Sequence, residues 1–138
     1  MTVTGLDIAS RTPLGEGISF GQAGPYERID GTLHFAVDPE HPANAGIVDL
    51  DKAARDSQGR VSFRADLCLL QPVDPARASG RLLLEVPNRG RKGARGRFNR
   101  PAPAGARRVP GMEMGDGLLL NLGWTIAWCG WQWDVVRD

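Results

Sequence analysis

The chain holds only two cysteines and two histidines, and none of its apolar runs is long. Cys68 and Cys129 make no Cys-x-x-Cys pair and no zinc spacing. Two readings stay open for them: a disulfide, or two buried free thiols of the kind a reducing cytosol preserves. His34 and His41 have no nucleophile near them in sequence. Two histidines alone are a weak metal signal, so neither a metal nor a cofactor is expected. A membrane span needs roughly 18 successive apolar residues, and no run approaches that. The amino terminus, Met-Thr-Val-Thr-Gly-Leu-Asp-Ile, has neither a basic segment nor an apolar one. The expectation is therefore no signal peptide, no membrane association and a cytoplasmic location. No internal repeat and no linker divides the sequence, so residues 1–138 are read as a single domain.

What the chain has in quantity is turn formers. Its 18 glycines and 10 prolines predict many turns and no long helices. Between the turns lie alternating segments. Ile29, Leu33, Phe35 and Val37 fall on one parity, with Asp30, Thr32 and His34 on the other. Residues 61–70 alternate more clearly still. Val61, Phe63, Ala65, Leu67 and Leu69 are expected to face the core, and Ser62, Arg64, Asp66 and Cys68 to face away. Shorter strands are expected near residues 2–10 and 47–50.

The pattern changes at Arg81. Leu82-Leu83-Leu84 with Val86, and later Ile126-Ala127-Trp128-Cys129, are continuous apolar runs, as in parallel strands buried on both faces. Between them, Asp116 suits a helix N-cap, four leucines supply packing, and Gly123 supplies the stop. The expected fold class is thus α/β: N-terminal antiparallel strands leading into a partial, mainly parallel sheet with one crossover helix.

Four features invite a chemical reading. Gly17-Ile18-Ser19-Phe20-Gly21 is a literal G-x-S-x-G, but glycines and prolines flank it where a nucleophile turn needs a strand before and a helix after. A glycine-rich loop is the simpler account. His34 reads as a sheet-face residue and His41 as part of a proline-rich turn. Residues 89–108 carry eight arginines and lysines, and no acidic residue occurs between Glu85 and Glu113. Such a loop can track a phosphate backbone. With a net charge of +1 and Phe98 as its only aromatic, it reads more simply as a solvated loop, and nucleic-acid binding is the weaker alternative. Finally, Trp124, Trp128, Trp131 and Trp133 crowd together. Trp128 suits a core. Trp131, Gln132 and Asp134 follow the strand, where ligands of open sheets bind, and are candidates for a pocket wall. A small β-rich module binding a ligand against its tryptophans is a further alternative.

Three segments carry a resemblance: Tyr26-Glu-Arg-Ile-Asp-Gly-Thr-Leu-His-Phe-Ala-Val-Asp38, Leu84-Glu-Val-Pro-Asn-Arg-Gly-Arg-Lys92 and Trp128-Cys-Gly-Trp-Gln-Trp-Asp134. Together they resemble the opening of a little-characterised bacterial family of α/β-hydrolase domain proteins. The resemblance implies a serine-hydrolase class acting on ester or amide substrates. It places Asn88, Arg89 and Gly90 in the loop that supplies an oxyanion-hole N–H. It also implies that the serine, acid and histidine lie further along than these residues reach, so the segment is expected to be inactive by itself. Finally, it makes residues 82–86 an uncovered sheet edge, through which self-association is expected.

Overall fold

The computed structural model describes residues 2–99 and 115–131. Among the described residues six strands are formed: β1 (Thr2–Pro13), β2 (Ser19–Phe20), β3 (Gly24–Val37), β4 (Val61–Pro72), β5 (Leu82–Glu85) and β6 (Thr125–Cys129). Five of them make one sheet in the order β1-β3-β4-β6-β5, and β2 pairs with the start of β3. All pairings are antiparallel except β5 with β6. Two short helices, α1 (Ala94–Phe98) and α2 (Leu118–Asn121), lie between β5 and β6.

This corrects the expected α/β class. The molecule is mostly β, a mixed and largely antiparallel sheet, and among the described residues no crossover α-helix reaches seven residues. The reason is local. Gly117 (φ 66°) starts α2 from the left-handed region and Gly123 (φ 73°) ends the turn that follows it, leaving room for a single helical turn. Asp116 does not become the N-cap, although its Oδ1 accepts from the Leu118 N–H at 3.1 Å. So short a helix has no stability of its own and persists only because it packs. The long antiparallel strands, by contrast, pair along almost their full lengths. Tyr26 through Val37 meets Pro72 through Val61 without interruption.

Two further expectations change. Residues 47–50 form turns, not a strand, with Asp49 itself at φ 59°. More consequential is the face that carries the core. Leu14, Phe20, Tyr26, Cys68, Leu70, Leu119, Leu120, Ile126 and Trp128 form one buried cluster, with Ala23 and Ala94. In the sheet these are the residues of the Cys68 parity, the parity expected to face away. The Val61–Leu69 parity forms the opposite face, where Phe63 is 42% exposed and Leu6 and Ile8, paired across from Leu33 and Gly31, are 46% and 50% exposed.

The covering elements explain the choice. Tyr26 is fully buried and its hydroxyl lies 3.1 Å from the Leu120 carbonyl oxygen and 3.0 Å from that of Trp124. It anchors the α2–β6 turn onto β3 by a bond spanning more than ninety residues. Burial without a positive neighbour pushes its pKa from 10.0 up to about 12. Phe20 meets the Tyr26 ring edge to face at 5.5 Å, closing the same side. At the other end, Gly31 lets β1 approach β3 closely: a Cβ there would overlap the Asp7 carbonyl oxygen.

Candidate functional site

The parallel pair ends at Glu85 and Cys129, and the chain segments leaving these two ends meet. After β5, Pro87 precedes a tight turn, Asn88–Gly90. Arg89 holds φ 51° and Gly90 φ 71°. A non-glycine residue in the left-handed region costs on the order of 1 kcal/mol, so neighbouring structure must hold it there. Two contacts hold the turn's flanks. On one side, Trp131 Nε1 donates to the Pro87 carbonyl oxygen at 2.9 Å, tying the end of β6 to the start of the turn. On the other, Glu85 accepts from the N–H groups of Gly93 (3.1 Å) and Ala94 (2.7 Å) and from Trp128 Nε1. The Glu85 carboxylate thus caps the first turn of α1 and fixes the indole of the neighbouring strand. Such charge-assisted bonds are roughly twice as strong as neutral ones.

On the core face, a polar cluster lies across β3 and β4. Arg28 and Asp30 form a two-point ion pair, at 2.8 Å from Nη2 to Oδ1 and 2.6 Å from Nε to Oδ2. Asp30 stands opposite Cys68 in the register, and Cys68 opposite Trp128. Burial pulls the Asp30 carboxyl upward, but the hydrogen bond and charge of Arg28, with smaller help from Cys68 and Lys92, outweigh it and leave its pKa below the ordinary value. The hydrogen bond that Arg28 donates to Asp30 raises Arg28 further. Burial, the largest influence on both thiols, raises Cys68 and Cys129. Raised thiols are poor nucleophiles, which suits packing residues and not a reactive cysteine. The two cysteines are free. They occupy adjacent register positions of opposite parity, so their side chains leave the sheet on opposite faces and the disulfide reading falls away.

The residues singled out from sequence are therefore partly brought together. Asn88, Arg89 and Gly90 share one turn, and Trp131, 64% exposed, reaches the residue preceding it. Gln132 and Asp134 lie outside the described residues, as do Trp133 and the later part of the basic segment, from Arg100 to Arg108. Ser19 is exposed in the two-residue strand β2, with no helix of four residues or more after it until α1. His34 Nε2 sits 2.7 Å from Asp7 Oδ2 on the exposed sheet surface, and His41 accepts from the Ala43 N–H in its turn. Among the described residues no three His, Cys, Asp or Glu side chains gather to hold a metal ion. No helix among them is long and apolar enough to cross a membrane.

Glu85 is the residue that sequence reading missed. Its signal was available: one carboxylate inside the run Leu-Leu-Leu-Glu-Val. A charge in an apolar strand is tolerated when donors surround it, and here three do. Against known proteins, the chain matches no protein-family model, no curated protein and no solved structure.

Proposed function

We propose that this chain is the oxyanion-side segment of a serine-hydrolase-type domain acting on ester or amide substrates, and that it is inactive without a nucleophile supplied from outside these residues. The observation that carries the reading is the turn after β5, with Arg89 held in the left-handed region beside a parallel strand end. Backbone strain of this kind gathers at ligand and catalytic sites, and backbone N–H groups in a fixed turn are what a developing oxyanion requires. The residue-level resemblance of the 26–38, 84–92 and 128–134 segments to the α/β-hydrolase domain family supplies the reaction class.

The bare parts of the sheet agree with an incomplete domain. β5 is an edge strand, with Leu82 and Leu84 58% and 55% exposed. The connection from β5 to β6 crosses the core face, since Ala94, Leu119 and Leu120 belong to the core. A connection of the same hand running from β6 back past β5 crosses the sheet in the opposite direction and so lies on the opposite face. One further strand-and-crossover unit would cover the bare edge and the bare face together.

The test is hydrolysis of a p-nitrophenyl ester. The 138-residue protein should show no turnover above background, and Ser19→Ala should change nothing. The same protein extended by the coding sequence that follows residue 138 should gain turnover. Turnover by the short chain that Ser19→Ala abolishes, or none by the extended one, would overturn the proposal.

A further inference from the structure

The face opposite the core is a broad apolar surface that nothing among the described residues explains. Leu6 and Ile8 on β1, Phe35 on β3, Phe63 on β4 and Leu82 and Leu84 on β5 share its parity, so it runs the width of the sheet. Phe35 and Phe63 stack on one another at 5.0 Å in its middle. Its charged groups are confined to one end, where Arg11 and Glu27 already pair with each other at 3.5 Å and Glu27 also accepts from Gln71 at 2.8 Å.

We propose that the 138-residue protein, on its own, covers this face with the same face of a second copy. The surface suits a self-complementary partner. Along β3 from Ile29 to Val37 and β4 from Val61 to Leu69, this parity contains no charge for an unlike partner to match. Two sheets of this kind pack face to face about 10 Å apart with interdigitating side chains. Area decides in favour of a stable pair. The apolar side chains of this face, with Leu6, Ile8, Phe63, Leu82 and Leu84 at 42–58% exposure and Leu33, Phe35, Leu67 and Leu69 half-buried beside them, offer on the order of 700 Å². That exceeds the patch a typical monomer leaves bare, about 300–600 Å², and approaches the ~800 Å² per partner of a standard interface. Edge pairing through β5 offers less, because that strand is four residues long. A two-fold axis makes the contact isologous, so each substitution is felt twice.

The inference does not rest on the hydrolase reading, and its test does not touch activity. Sedimentation of the protein at micromolar concentrations should show a monomer–dimer equilibrium. Leu6→Glu and Phe63→Glu lie far from β5 and change side chains already half exposed in the monomer, so each should leave the fold intact. Each should raise the dimer dissociation constant by at least about a hundredfold, because every charge is buried in duplicate without a partner. The near-ultraviolet circular dichroism of the buried Trp128 should stay unchanged and so separates dissociation from unfolding. A monomer at all concentrations overturns the proposal. So does a dimer that persists in both variants, since it would be held by the β5 edge or by another surface.

Discussion

The two faces of the sheet come from the same strands and the same alternating pattern, yet one carries the sealed core and the other is largely bare, with Ile29 and Val37 its buried exceptions. Tyr26, Leu70, Cys68, Ile126 and Trp128 are at most 4% exposed on the first. On the second, Leu6, Ile8 and Phe63 keep about half their surface in contact with water. The bare face is the more uniformly apolar of the two along β4, so apolar count did not select the sealed one. Polar tips did. Tyr26 and Trp128 each bring a donor that must be satisfied when buried, and among the described residues α2, the α2–β6 turn and Glu85 present acceptors for them. Cover goes to the face whose large side chains can be both buried and bonded.

The comparison breaks most sharply under truncation. Trp128→Ala should cost about 3–5 kcal/mol, the loss for a buried aromatic and the cavity behind it. Leu6→Ala, measured at concentrations low enough to keep the protein monomeric, should fall within about 0.5 kcal/mol of zero. Urea denaturation of both variants decides the matter. Equal costs would mean that the two faces are not different in kind.

Alkali attacks the sealed face alone. The Tyr26 phenol has a folded-state pKa of about 12 against 10.0 in the unfolded chain. A raised folded value means that its contribution is complete below pH 10 and is lost as pH rises toward 12. The difference amounts to roughly 3 kcal/mol. Tyr26→Phe should remove that part of the alkaline slope while costing about 1 kcal/mol at neutral pH for the lost hydroxyl bond. An unchanged slope in the variant would place the alkaline loss elsewhere.

These two residues also show where sequence reading succeeds and stops. Period two located β3 and β4 to within a few residues, because strand pairing is written in every second side chain. The continuous runs located β5 and β6, which pair in parallel with β5 at the edge of the described sheet, but β5 is not buried on both faces, since Leu82 and Leu84 are exposed. Periodicity defines two faces but not which one is covered, since the cover over Leu70 comes from Leu119 and Leu120, dozens of residues away. The helix failed for a different reason: four leucines within five residues looked sufficient, while the flanking glycines limited them to one turn. At the candidate site, the Pro-Asn-Arg-Gly turn was legible as a loop. The left-handed Arg89 and the reach of Glu85 were not, because both depend on what lies across the strand end.

Glu85 joins the sealed face to that turn, so its substitution tests whether the two depend on one another. Glu85→Gln keeps the shape but replaces one acceptor oxygen by a donor facing N–H groups. The expected loss is roughly 2 kcal/mol. Amide exchange at Gly93 and Ala94 should accelerate with it, since both N–H groups bond the carboxylate. Stability lost without faster exchange there would mean that Glu85 serves Trp128 alone.

On the sealed side the smallest effect belongs to Asp30, at its margin, where its side chain is still 32% exposed. Its folded pKa lies below the ordinary 3.8. A lowered folded value contributes stability above the unfolded pKa and loses it as pH falls through the folded one. Solvent screens a pair this exposed, so Asp30→Asn should cost less than about 1 kcal/mol at neutral pH. The gap between the variant and the parent protein should close as pH drops below 3.8, and narrow in high salt. A gap that survives both acid and salt would be packing and not charge. In that case the Arg28–Asp30 pair would belong to the sealed face as its outermost filler.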